Sequence, residues 1–203
     1  MAGIVFTIGH STHSAEKLLE LLRLHEITAV ADVRSQPYSR VNAQFNREVL
    51  QADLKAMKIS YVFLGRELGA RTQDRTCYVD GKVQYDLLAR SSSFQEGLAR
   101  VEKGTQGHRI ALLCAEKDPL VCHRAILVCR HLVARGLEAV HILETGRLER
   151  HEDALARLLA EVGVQSRDLF RSREELIAEA YAQRGEQIAY VEKAEDAPGR
   201  VTR

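Results

Sequence analysis

The chain has 203 residues, 45% of them hydrophobic, and a formal net charge of +1. That hydrophobic share supplies a core and excludes a disordered chain. The near-neutral charge excludes a uniformly basic nucleic-acid binder but leaves local patches open.

Gly3 to Ile8 is a short β-branched run and reads as a first strand. A polar turn, Gly9 to Ser14, follows, and Ser14 is placed to cap a helix carrying Leu18, Leu21, Leu22 and Leu24 at helical spacing. Thr28 to Val33 reads as a second strand, and Arg34 to Phe45 as a polar loop containing Pro37. Asn46 is expected to cap the next helix, with Val49, Leu50, Leu54 and Met57 facing inward, before a third strand from Ile59 to Leu64. Residues 66 to 84 read as an irregular loop with few apolar anchors, functional or mobile in character. A helix from Ser93 to Lys103, a strand from Arg109 to Leu113, a helix from Leu120 to Arg135 and a strand from Ala139 to Leu143 come next. The run Glu144 to Glu152 alternates in sign and reads as a solvated face. A helix over Glu149 to Glu161 and a capping box at Ser172-Arg173-Glu174-Glu175, opening a helix to about Arg184, end the pattern.

Strands alternating with helices imply right-handed βαβ units. The expectation is a three-layer α/β sandwich with a mostly parallel five-stranded sheet. Residues 1–147 would form this core, and residues 148–203 a helical extension packed on it, frayed from Glu192 onward. The start of the chain lacks the basic and long apolar stretches of a secretory signal. No run reaches the ~20 apolar residues of a membrane span. A cytoplasmic protein with reduced thiols is therefore expected, with no membrane partner.

The segment from Leu112 to Arg124 is the most informative. It joins the end of an apolar strand to the start of a helix, where ligands sit in open α/β sheets. It carries Cys114, Glu116, Asp118, Cys122, His123 and Arg124. With Asp118 as N-cap and Pro119 at the first helical position, Cys122 would fall in the first turn. There its thiol would be acidified by the helix end and cationic neighbours. Cys122 is thus a candidate nucleophile, against packing in the core, whereas Cys129 reads as core. Cys114 is open between nucleophile, metal ligand and buried hydrophobe. Glu116 and His123 are acid/base candidates, Glu116 otherwise ordering Arg124 or a turn. Arg34, Ser39, Arg40 and Arg124, with His10, Ser11 and Asp32, would converge on one anion, the alternative being an Asp32–arginine pair that organises the loops. One cleft lined by His10, Arg34, Glu116 and Arg124 is expected. Cys114 and Cys122 are eight residues apart, with no CxxC beside them, so no metal and no cofactor is expected.

Four ordered motifs complete the picture. They are Thr7-Ile8-Gly9-His10-Ser11; Asp32-Val33-Arg34 with Pro37 and Ser39; Gly65 with Leu68-Gly69; and Cys114-Ala115-Glu116 through Cys122-His123-Arg124. In these the chain resembles the family called domain of unknown function 488, over about residues 4 to 190. It departs at Leu68-Gly69-Ala70, where a second glycine is expected. The resemblance implies a fold class and a site location, and no reaction. A weaker, fold-level similarity links the strand–Cys114–loop–helix arrangement to rhodanese sulfurtransferases, although Glu116 and Asp118 oppose a thiolate cradle there. The residues favour an enzyme acting on a phosphate-bearing ligand, a nucleotide or nucleic-acid end. The alternatives are a nucleic-acid accessory using Arg66, Arg71 and Arg75, and a thiol-based sulfur-transfer or redox protein.

Overall fold

A computed structural model describes residues 3–165 and 167–192. The end of the expected frayed tail, residues 193–203, lies outside the described residues. The main sheet holds β1 (Ile4–Gly9), β2 (Ala29–Asp32), β3 (Ser60–Phe63), β6 (Ile110–Cys114), β7 (Glu138–Ile142) and β8 (Leu148–Arg150), in the order β3-β2-β6-β1-β7-β8. The first five strands run parallel, as the continuous apolar runs require. The expected five strands gain a sixth. β8 pairs antiparallel with β7, with His141 opposite Glu149, so a segment read as a solvated charged face closes the sheet edge instead. Its charges suit an edge strand, where they discourage pairing with another chain. The short hairpin of β4 (Tyr78–Val79) and β5 (Lys82–Val83) forms a separate ribbon inside the loop expected to be irregular.

Helices α1 (Ala15–Leu24) and α2 (Arg47–Ala56) cover one face, sending Leu18, Leu21, Leu22, Leu50 and Leu54 against Phe6, Ile8, Ala111 and Leu113. Ser14 accepts the Lys17 N–H as expected. Asn46 does not cap with its side chain, because its Oδ1 accepts from the Ser39 N–H at 2.7 Å and anchors the preceding loop. The short α3 (Gly65–Leu68) and α4 (Tyr85–Arg90) lead to α5 (Ser92–Gly104), which covers the other face with Phe94, Leu98 and Val101. Covering opposite faces after β1 and β6 makes the carboxyl end of β6 a topological switch point.

The helix expected from Leu120 to Arg135 is not continuous. A 3-10 turn, Pro119–Val121, stops at Cys122, whose backbone is extended (φ −134°, ψ 138°). A wide π-type helix, Arg124–Cys129, and then α6 (Arg130–Ala134) continue the chain. Such bulged turns cluster at functional sites. Asp118 caps as expected, accepting the Leu120 N–H at 2.8 Å.

Helices α7 (His151–Glu161) and α8 (Arg173–Ile188) pack their Leu158, Leu176, Ala180 and Tyr181 on Leu120 and Ile126. The capping box at Ser172 and Glu175 is formed. A buried polar chain also ties α8 to the sheet. Thr7 Oγ1 lies 2.8 Å from His141 Nδ1, His141 Nε2 lies 3.0 Å from His151 Nδ1, and His151 Nε2 lies 2.7 Å from the Tyr181 hydroxyl. No helix among the described residues is long and apolar enough to cross a membrane.

Candidate functional site

Three loops meet beyond the carboxyl end of β6. The loop after β1 is bonded to the loop after β6, with His10 N–H donating to Cys114 O and Ser11 N–H to Ala115 O, both at 2.9 Å. This approach is so close that a Cβ on Gly9 would lie 1.8 Å from the Glu116 carbonyl oxygen. A Cβ on Gly65 would likewise meet the Arg34 carbonyl at 2.0 Å, which brings α3 against the loop after β2. Two of the motif glycines are therefore explained by loop packing around this point.

Four side chains converge where the loops meet. Cys114 Sγ lies 3.0 Å and Cys122 Sγ 2.9 Å from the same oxygen, Glu116 Oε2. His123 Nδ1 lies 3.7 Å from Cys114 Sγ and 3.9 Å from Cys122 Sγ. The other ring nitrogen, Nε2, donates its N–H to the Val33 carbonyl oxygen at 3.1 Å. That bond places a hydrogen on Nε2 and turns Nδ1 toward the sulfurs. One ligand atom from each of the four residues falls within 4.8 Å of the others. Spacing along the chain argued against a metal, but the extended backbone at Cys122 folds the second thiol back onto the first.

The pair of thiols is electrostatically unequal. Burial opposes ionisation of Cys122, but its bond with Cys114, the Arg124 guanidinium and His123 together hold it well below the ordinary thiol range. Cys114 is pushed up by its bond to Cys122 and by burial. Burial, then the Cys122 charge, raises the Glu116 carboxyl. Cys122 precedes the helix and does not lie within its first turn, and its Sγ accepts the Arg124 N–H of the helix start at 3.4 Å. Cys129, expected to be core, is buried and its thiol is pushed up to about 12 by burial.

These groups open onto a cleft of about 310 Å³ that is also lined by Arg34, Arg71, Tyr38, Tyr85 and Tyr190. Arg34 is gripped by Asp32, through Nε at 2.9 Å and Nη2 at 2.6 Å, so the organising ion pair exists. The Tyr61 hydroxyl donates to the same Asp32 at 2.8 Å. Arg34 nonetheless lines the cleft, and Asp32 leaves its Nη1 uncommitted. Arg71 stacks 4.6 Å above the Tyr190 ring, at a rim where the Val83 N–H donates to Tyr190 O.

The remaining expected residues stand elsewhere. Arg124 is 1% exposed and does not line the cleft. Its Nη1 and Nη2 donate to the Glu116 and Lys117 carbonyls at 2.6 and 3.0 Å, so it struts the loop from beneath. His10 is buried under the loops, 4.4 Å from the Phe45 ring, with Nδ1 bonded to Ser11 O, and burial pushes its imidazole down to about 4. Ser11 holds a left-handed turn (φ 50°). Ser39 Oγ accepts from the Val41 and Asn42 N–H groups, and Arg40 is exposed outside the cleft. The cleft expected from His10, Arg34, Glu116 and Arg124 thus keeps Arg34 and Glu116. The tyrosines at its wall had no periodic signal in the sequence.

The fold and site define a parallel-sheet α/β protein with a thiol–imidazole–carboxylate cluster at the end of its central strand. The chain matches the family described as "Domain of unknown function DUF488" over residues 14–130, more than half its length, and it belongs to that family. No curated protein and no solved structure matches it.

Proposed function

We propose that this DUF488 chain is an enzyme acting on a phosphate-bearing ligand, a nucleotide or a nucleic-acid end. One observation carries the reading. The cleft that Cys114, Glu116, Cys122 and His123 line is also walled by two guanidinium groups, Arg34 and Arg71, and three tyrosines. Guanidinium forks suit phosphate oxygens, and aromatic rings suit the faces of bases. In this reading Arg34 and Arg71 hold the phosphate and the tyrosines flank the base. Glu116, with its raised carboxyl, handles the proton.

A panel of nucleotides and short oligonucleotides, scored by thermal stabilisation, tests this directly. At least one phosphate-bearing member should raise the melting temperature. Arg71→Ala should weaken that ligand roughly tenfold, the loss of about one charge-assisted contact. No stabilisation by any member at millimolar concentration would reject the reading. Oligonucleotide binding with a steep salt slope but no turnover would favour an accessory role instead. The adjacent sulfurs support a second reading, a thiol-based sulfur-transfer protein, which a persulfide on Cys114 or Cys122 seen by mass spectrometry would favour.

A further inference from the structure

We infer that Cys114, Cys122, His123 and Glu116 form a binding site for one divalent transition metal of the zinc type, with Glu116 as the exchangeable ligand. This goes beyond the phosphate-ligand reading and does not depend on it.

The geometry of the three buried ligands is the first argument. With metal–sulfur bonds of ~2.3 Å and metal–nitrogen bonds of ~2.0–2.1 Å, neighbouring vertices of a tetrahedron lie roughly 3.5–3.8 Å apart. The two sulfur–Nδ1 separations are 3.7 and 3.9 Å. The second argument is orientation. A metal-bound histidine normally donates its other N–H to a carbonyl or carboxylate, and the Val33 carbonyl already takes that bond from His123 Nε2. The third is charge. Two thiols and a carboxylate crowded in one place repel one another once ionised, and a cation among them offsets all three. Two thiolates, one carboxylate and a divalent ion leave one negative charge, which the buried Arg124 beneath the loop offsets.

Soft thiolates with one imidazole in tetrahedral array select zinc over magnesium or calcium. Binding replaces the protons still held on the sulfurs, which leave to solvent, by two metal–sulfur bonds. No electron is transferred. The sulfur–Oε2 distances of 2.9 and 3.0 Å are hydrogen-bond lengths. Metal entry therefore moves the carboxylate outward by about half an ångström to reach a tetrahedral vertex. Glu116 is the exposed member of the set, while the other three are buried, so it is the ligand free to make that move. It also lines the cleft, where its departure opens a coordination position to water or substrate. Three fixed ligands and one open position is the pattern of a catalytic rather than a structural zinc site.

The test uses the full-length chain, stripped of metal by a chelator under reducing conditions and titrated with cobalt(II) alone. One equivalent should produce the near-ultraviolet sulfur-to-cobalt band and the visible bands of a tetrahedral thiolate site, and zinc should abolish both. Zinc in thousandfold excess over its Kd should also raise the thermal midpoint by roughly 8–16 °C. Cys114→Ser and Cys122→Ser should each lose about half of the sulfur band, and Cys129→Ala none of it. Glu116→Gln should keep the sulfur band and change the visible ones. Absence of a sulfur-to-cobalt band in the reduced wild type overturns the inference, whether or not the variants fold. So does a band that keeps its full intensity in both serine variants. No nucleotide enters the experiment, so its failure leaves the phosphate-ligand reading standing, and the reverse also holds.

Discussion

Arg124→Lys is expected to destabilise the protein and not merely to weaken a ligand. The guanidinium is 1% exposed and spans two backbone carbonyls, Glu116 O at 2.6 Å and Lys117 O at 3.0 Å. A lysine ammonium keeps the charge but is a single point on a flexible stem and cannot bridge both. One charge-assisted bond is then lost, worth about 1.5–3 kcal/mol, and the abandoned carbonyl costs about 1–3 kcal/mol unless water reaches it. A small offset comes from Arg124 Nε, which is buried without a hydrogen-bond partner among the described residues and which lysine removes. The balance is about 2–5 kcal/mol. For a chain of this size that corresponds to a fall of roughly 4–20 °C in the melting temperature. Urea unfolding is the cleaner assay, because an unchanged m-value with a lower midpoint isolates stability from compactness. A variant that unfolds at the wild-type midpoint while losing ligand affinity would refute the strut and restore Arg124 as an anion ligand.

The other expectations are as follows. Gly9→Ala forces a Cβ to within 1.8 Å of the Glu116 carbonyl, so it should cost about 1–3 kcal/mol or more in urea, whereas Gly107→Ala, with nothing within 4 Å, should be neutral. Asp32→Asn strips the charge that holds Arg34, leaving a buried guanidinium without its counterion, and should cost about 3–5 kcal/mol; equal midpoints would show the pair to be dispensable. Burial holds His10 and His151 down to about 4 and His141 well below its usual value. Their folded values are depressed, so their contribution is full above about pH 6.5 and is lost as pH falls toward 4, by about 1.4 kcal/mol per pH unit for each histidine titrating only in the unfolded chain. Midpoints measured from pH 7.5 to 4.5 should fall accordingly, and the slope should lessen by about one proton in His151→Gln. A flat profile would contradict the buried neutral histidines.

Much of the fold was legible because it rests on short-range signals. The five parallel strands are apolar runs bounded by polar turns, and Ser14, Asp118 and Ser172 cap as their side chains dictate. β8 was not legible, because a three-residue edge strand with alternating charges carries no apolar run, and only its partner β7 defines it. The histidine chain from Thr7 to Tyr181 was invisible for a related reason. Its members are far apart in sequence, 134 residues between Thr7 and His141, and no periodicity links them.

The site divides the same way. Cys114, Glu116, Cys122 and His123 stand in one segment of the sequence, so their membership of a common site was readable. Their mutual geometry was not, because it turns on Cys122 leaving the helical conformation. A regular helix from Leu120 would have pointed Cys122 and His123 by helical phase alone. The extended backbone at Cys122 replaces that phase with a fold-back that sets its sulfur and Cys114 Sγ on one carboxylate oxygen. The wide helix that follows turns Arg124 under the loop rather than into the cleft. A single backbone departure thus converts a row of candidate nucleophiles and anion ligands into a converging cluster on an arginine strut. The guanidinium groups that line the cleft are those of Arg34 and of Arg71, a residue of the loop that carried no regular pattern.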